Sequence, residues 1–134
     1  MRVYVDTSAL AKLLQEEPES SAFTDFVCDP KWHIYSGDLI ETEIRRTAQR
    51  LEKPQSEAKE ALEKIDVVEV RRVDFRTAGV IEARNLRSLD AIHLAVALAT
   101  EADFICSYDT RMVEAALYVG IPVLRPGLEP ENPA

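Results

Sequence analysis

Glycine is scarce in this chain: four residues in 134, at Gly37, Gly79, Gly120 and Gly127. Scattered in this way they form neither a G-x-G-x-x-G fingerprint nor a P-loop, so nucleotide cofactors held by those loops are not expected. Histidine and cysteine are scarcer, with two of each. Cys28 and Cys106 lack metal-type spacing and read as reduced, buried small hydrophobes. No His–Cys cluster has zinc spacing. His93 stands one turn after Asp90, so the two share a helix face; it reads as a partly buried helical histidine within reach of a carboxylate. Ser8 has no histidine base near it in sequence, which weakens a nucleophilic-serine reading. Lysine is absent after Lys64, which weighs against a phospho-accepting receiver domain. No apolar run approaches bilayer length. Val3 to Val5 is too short for a signal-peptide core. The cytoplasm is the expected compartment, with no membrane contact.

The hydrophobic content of 46% and charged content of 30% are those of a globular protein long enough to bury a core. The net charge of −8 runs against the basic footprint of a nucleic-acid binder. The distribution of charge weakens that objection. Arg45, Arg46, Arg50 and Lys53 crowd one segment, Arg71, Arg72 and Arg76 another, and Arg84, Arg87 and Arg111 stand near the later acids. Solvated mixed-charge helix faces would show this pattern. So would an acidic centre rimmed by arginines.

Hydrophobic periodicity alternates between strand and helix. Strands are expected at Val3 to Val5, Trp32 to Ser36, Val67 to Val70, Phe104 to Ser107 and Ile121 to Leu124. Helices are expected from Ser8 to about Leu14, from Ser20 or Ser21 to Cys28, from Asp38 to Leu51, from near Pro54 to Ile65, from Asp74 to Ala83, from Ser88 through Ala99, and from Thr110 to Val119. Asp38-x-x-Glu41 has the form of a capping box. Ile40, Ile44, Thr47, Ala48 and Leu51 supply the inward face of that helix. The helix from Ser88 leaves almost no polar face and is expected to be central and buried. Alternating strands and helices imply an α/β protein, with a parallel sheet between helical layers. Residues 1–125 are read as one domain and 126–134 as an irregular tail.

Four acids fall at strand ends or in the opening turns of helices: Asp6, Glu43, Asp90 and Asp109. In an open parallel sheet those positions face the carboxyl edge, where ligands bind. Each has a structural reading as well. Asp6 and Asp109 suit helix N-caps, and Asp90 suits the positive end of a helix dipole. Glu43 lies at one edge of its helix's apolar stripe and Glu41 at the other; periodicity does not choose between them. Together the acids define a self-repelling pocket that calls for protons or a cation.

With these residues in view, the chain resembles the PIN-domain ribonucleases, and most closely the VapC-type toxins of bacterial toxin–antitoxin pairs. The resemblance runs from Val3 to about Leu124. It is carried by Val-Tyr-Val-Asp-Thr-Ser-Ala-Leu at the start, by Ser36 followed by Glu43-Ile44-Arg45-Arg46, by Leu89-Asp90-Ala91-Ile92-His93-Leu94-Ala95, and by Ser107-Tyr108-Asp109-x-Arg111. It selects Glu43 over Glu41 as the matching acid. Where some relatives have a further acid after the last aspartate, this chain has Arg111.

The resemblance implies an α/β/α sandwich with a central parallel sheet and a Mg²⁺-dependent endoribonuclease, with Mn²⁺ as a possible substitute. Asp6, Glu43, Asp90 and Asp109 are the expected catalytic set, with Asp6, Asp90 and Asp109 at the metal. Thr7 and Ser107 are expected to bond to the carboxylates, and Arg46, Arg87 and Arg111 to meet RNA. A VapB-like antitoxin is the expected partner and a homodimer the expected assembly. The alternatives are a catalytically inactive PIN-like binding module and the receiver-like domain.

Overall fold

Each of the first four short apolar runs is followed by a helical segment, so successive strands cannot close as hairpins and must return in parallel. The computed structural model describes residues 1–83 and 85–128; Arg84 and residues 129–134, most of the expected tail, lie outside the described residues. The order of elements is β1 (Arg2–Val5), α1 (Thr7–Leu10) continued by a 3-10 turn (Ala11–Leu13), α2 (Ser20–Cys28), β2 (His33–Gly37), α3 (Leu39–Arg50), α4 (Gln55–Glu63), β3 (Asp66–Val68), α5 (Arg72–Val80), α6 (Ser88–Ala99), β4 (Phe104–Cys106), α7 (Thr110–Tyr118) and β5 (Val123–Leu124).

The five strands pair in parallel in the order β3-β2-β1-β4-β5. The chain builds outward from β1 on one side and returns to β1's other side with β4. That reversal of winding opens a crevice beyond the carboxyl ends of β1 and β4, the usual ligand position in such sheets.

Strand alternation divides the core in two. Val3, Val5, Ile34 and Cys106 pack with Phe23, Ile40, Ile44 and Ala48, which puts α1 to α4 on one face. Tyr4, Tyr35 and Ile105 pack with Leu94, Ala97, Met112 and Ala116, which puts α6 and α7 on the other. The result is the expected α/β/α sandwich.

Several local expectations are corrected. The capping box at Asp38 and Glu41 does not form. Asp38 already has helical dihedrals (φ −67°, ψ −11°) and makes no side-chain cap. Its carboxylate instead accepts from the Val70 N–H at 3.2 Å, tying the end of β3 to the start of α3. Glu41 pairs with Arg45 one turn further on. Ser20 is the first residue of α2, not its cap; its hydroxyl donates to the Gln15 carbonyl and accepts from the Glu17 N–H. Cys28 is exposed at the end of α2, whereas Cys106 is buried. Helix α6 buries Ala91 and His93 through Ala97, but Leu89 and Leu98 face solvent. The last strand is two residues long because Ile121 still bonds to the Ala116 carbonyl, closing α7.

Gly37 closes β2 with side chains packed close against its backbone. A Cβ there would lie 3.0 Å from Tyr4 Oη, 3.1 Å from Leu39 Cδ2 and 3.2 Å from Val70 Cγ2. The bare backbone lets the Gly37 N–H reach Tyr4 Oη at 3.0 Å. Gly37→Ala is expected to lower stability by about 1–3 kcal/mol through overpacking, measured by urea denaturation. A variant as stable as the wild type would mean that Tyr4 is free to retreat.

Candidate active site

Asp6 follows β1 directly and is buried. Its backbone is extended, so its carboxylate turns back to cap α1, and Oδ1 accepts from the Ala9 N–H at 3.0 Å. Ser8 Oγ donates to the same oxygen at 2.7 Å, and Ser107 Oγ donates to Oδ2 at 2.6 Å. These serines are in turn held by the segment after β4. The Tyr108 N–H donates to Ser8 Oγ at 2.9 Å and the Asp109 N–H to Ser107 Oγ at 3.1 Å. Burial raises the Asp6 pKa above its ordinary 3.8, and the hydrogen bonds from Ser107 and Ser8 only partly oppose it.

Asp109 caps α7, accepting from the Arg111 N–H at 2.9 Å. Asp90 is half-buried in the first turn of α6. Its pKa is raised by burial, and then by the charges of Asp6 and Asp109. The cap readings of Asp6 and Asp109 are therefore correct, yet both carboxylates also line one open cleft of about 620 Å³ with Glu43 and Asp90.

Glu43 arrives from α3. Its Oε1 accepts from Thr7 Oγ1 at 2.8 Å and pairs with His93 Nε2 at 2.6 Å. Burial pushes the Glu43 pKa up, but the His93 bond, the charge of that ring when protonated and the Thr7 bond outweigh it, and the net shift is downward. His93 is fully buried rather than partly so, and its carboxylate partner is Glu43, not Asp90. Glu41, by contrast, is exposed and does not line the cleft.

Arg46 and Arg87 stand on the cleft wall, joined by Arg50, one helical turn after Arg46. Arg111 lines a separate open cleft of about 800 Å³ with Ile81, Leu86, Glu114 and Tyr118. Sequence reasoning passed over Ser8 as a partner of Asp6 and Arg50 as a cleft residue. The two-residue spacing of Asp6 and Ser8, and the four-residue spacing of Arg46 and Arg50, were the signals for them.

All four acids offer oxygen, and among the described residues no cysteine or histidine lines the cleft. Nor, among those residues, do three His, Cys, Asp or Glu side chains form a ready-made cage for an ion. This donor set suits a hard cation that takes one or two carboxylates and keeps most of its water.

Asp6 and Asp90 have pKa values raised above 3.8 in the folded protein. Their contribution to stability is fully present below the unfolded value and is lost as pH rises through the folded ones. Asp90→Asn keeps the shape and removes the charge. Without divalent ions, the variant should match the wild type at acid pH and become the more stable of the two as pH rises to neutral, measured by urea denaturation across pH. Equal stability at neutral pH would show that these carboxylates do not strain the fold.

A family model described as the PIN domain matches residues 3–117. The chain is 36% identical over 129 residues to ribonuclease VapC46 of Mycobacterium tuberculosis, covering 92% of this chain and 97% of that protein. Among solved structures, the fold is similar to M. tuberculosis VapC20, a sarcin–ricin loop cleaving toxin, with a TM-score of 0.70 and 17% identity over 84% of this chain and 94% of that one. It is also similar to a chain of a toxin–antitoxin complex from Klebsiella pneumoniae, with a TM-score of 0.68 and 19% identity over 95% and 98%. The switch-point cleft, its acids and these likenesses agree: the chain belongs to the PIN-domain family, among the VapC ribonucleases.

Proposed function

We propose that this protein is a divalent-metal-dependent endoribonuclease and the toxin of a toxin–antitoxin pair, with residues 1–125 as its catalytic unit. The observation that carries the reading is the convergence of Asp6, Glu43, Asp90 and Asp109 on one cleft, walled by Arg46, Arg50 and Arg87. Asp6, Asp90 and Asp109 would hold Mg²⁺ or Mn²⁺, with Asp6 and Asp90 the direct ligands. When bound, such an ion acidifies water and offsets the charge that grows on phosphate and leaving oxygens.

The chain's own residues supply the rest. Ser107 and Ser8 fix the Asp6 carboxylate so that it meets a cation without rearrangement. Thr7 holds Glu43, whose lowered pKa keeps it ionised and able to orient a water or take its proton. The guanidinium groups of Arg46 and Arg87 would grip backbone phosphates, with Arg111 meeting RNA beyond the cleft. The products would carry 5′-phosphate and 3′-hydroxyl ends.

A VapB-like antitoxin is the proposed partner, supported by the K. pneumoniae neighbour, which comes from a toxin–antitoxin complex. It would offer an Arg or Lys to the acids, because a fixed cation there replaces a metal's charge. A homodimer and a cytoplasmic location belong to the same proposal. Among the described residues no helix is long and apolar enough to cross a membrane.

Cleavage of structured RNA should require Mg²⁺ or Mn²⁺, stop in excess EDTA and be poorly supported by Ca²⁺, whose looser coordination positions water badly. Asp6→Asn and Asp90→Asn should each abolish it. In single-turnover assays Glu43→Gln should slow cleavage by about 10²–10⁴-fold, the usual worth of a proton-transfer group. Glu41→Gln should leave the rate near wild type and cost only about 0.3–0.5 kcal/mol, the value of an exposed ion pair one turn apart. Full activity in EDTA would remove the metal from the mechanism. A dead Glu41→Gln beside an active Glu43→Gln would move the acid role to the other face of α3.

A further inference from the structure

His93 is buried, lies outside the cleft wall and still reaches the site through Glu43. Its other ring nitrogen is occupied as well: Nδ1 lies 2.6 Å from Tyr4 Oη, and the two rings meet edge to face at 5.5 Å. Tyr4 is itself fixed, because the Gly37 N–H donates to Oη at 3.0 Å and Tyr35 packs edge-on against its ring at 5.4 Å. Burial raises the Tyr4 pKa, so the phenol stays neutral across the physiological range.

The topology gives this chain of contacts a purpose. Glu43 comes from α3 on one face of the sheet and His93 from α6 on the other. They meet over the carboxyl edge, above β1. A glutamate has three rotatable bonds, and on an exposed helix face it would sample many positions. Here both hydrogen bonds described for it fall on Oε1. These two bonds anchor the carboxylate through Oε1, Oε2 takes part in neither of them, and Glu43 lines the cleft.

We infer that Tyr4 and His93 form a buried positioning relay, in which the Nε2–H of His93, with its ring orientation locked by Tyr4, aims the Glu43 carboxylate into the cleft. The inference rests on the nuclease reading for its consequence, though not for its geometry. Neither His93 nor Tyr4 touches substrate in it. Their work is to spare Glu43 a search through rotamers when RNA binds.

The relay makes demands that a merely space-filling histidine does not. A glutamine at position 93 presents an acceptor and a donor about as far apart as the two ring nitrogens, so it can bridge Tyr4 and Glu43. A leucine of similar bulk can bridge neither. In single-turnover cleavage at saturating Mg²⁺, His93→Leu should lower kcat by about 10–100-fold, the usual effect of losing a partner that orients a site carboxylate. KM for RNA should be unchanged, because the arginines are untouched. His93→Gln should recover most of the rate, and Tyr4→Phe should show a smaller loss of the same kind.

The second arm needs neither metal nor RNA. Long-range ¹H–¹⁵N spectra of the apo protein should show His93 protonated at Nε2, with that proton slow to exchange in the wild type and faster in Tyr4→Phe. An unprotonated Nε2 overturns the relay. So does a folded His93→Leu protein with normal kcat, or one whose loss is confined to KM. If His93→Leu fails to fold, the comparison of His93→Gln with Tyr4→Phe and the spectra decide the question. If the wild type cleaves no RNA with any divalent ion, the nuclease reading fails, and the spectra still establish whether the His93–Glu43 bond exists.

Discussion

A buried carboxylate at the reversal point of the sheet organises this molecule. Asp6 follows the central strand and is almost wholly buried, with its carboxylate at the wall of the cleft. An ionised acid in that position is costly unless donors surround it. The donors come from two places far apart in sequence: the first turn of α1, through Ala9 and Ser8, and the residue that follows β4, through Ser107. Satisfying one side chain therefore clamps α1 to the β4–α7 connection. The same clamp brings Asp109 to the cleft, since Ser107 also accepts from the Asp109 backbone. Capping and site formation are one event here, and the cap reading of Asp6 and Asp109 never competed with the functional one.

The donors do not fully offset burial at Asp6, and at Asp90 neighbouring acids add to it, so both pKa values remain raised. Glu43 behaves in the opposite way because His93 and Thr7 hold its charged form. One cleft thus contains carboxylates pushed in two directions. Such divergence is how a single site comes to hold acids suited to different tasks. A cation placed between the acids pushed upward would offset their mutual repulsion. The acid pushed downward is already stabilised by protein groups and stays ionised without one. This division follows from which residues flank each acid, and it needs no difference in side-chain type.

The parallel sheet, the two helical layers and the acids' arrival at one edge were legible because each rests on a strong local signal; the strand order came only with the structure. Apolar runs of strand length alternate with helical periodicity, and parallel return is then forced. Boundaries were less legible where two local bonds compete. Asp38 and Glu41 have the spacing of a capping box, but Asp38 adopts helical dihedrals and commits its carboxylate to Val70, thirty-two residues away. No pattern within the helix announces that contact. Cys28 illustrates the same limit: its burial depends on where α2 ends relative to the core, and it ends with Cys28 outside. The choice of Glu43 over Glu41 was open to periodicity and came from family resemblance; in the fold, the two acids face a buried histidine and an exposed arginine respectively.

Tyr4 and His93 were the least legible residues of all, and the reason is geometric. In sequence Tyr4 is one apolar residue in a strand and His93 one polar residue in an apolar helix, eighty-nine positions apart. Each has an ordinary explanation alone. Their meaning comes from strand parity. Val3 and Val5 point to the α1–α4 face, so Tyr4 must point to the α6 face, where its hydroxyl meets a ring able to carry the contact onward to Glu43. A one-residue shift in the register of β1 would turn Tyr4 away and bring a valine beneath His93. The histidine would then be buried with one nitrogen unpaired, a cost comparable to a lost hydrogen bond. The parity that builds the core on both faces of β1 is therefore the same parity that connects the core to the cleft. An otherwise almost wholly apolar helix can hold a buried histidine at this position because both of its nitrogens are answered.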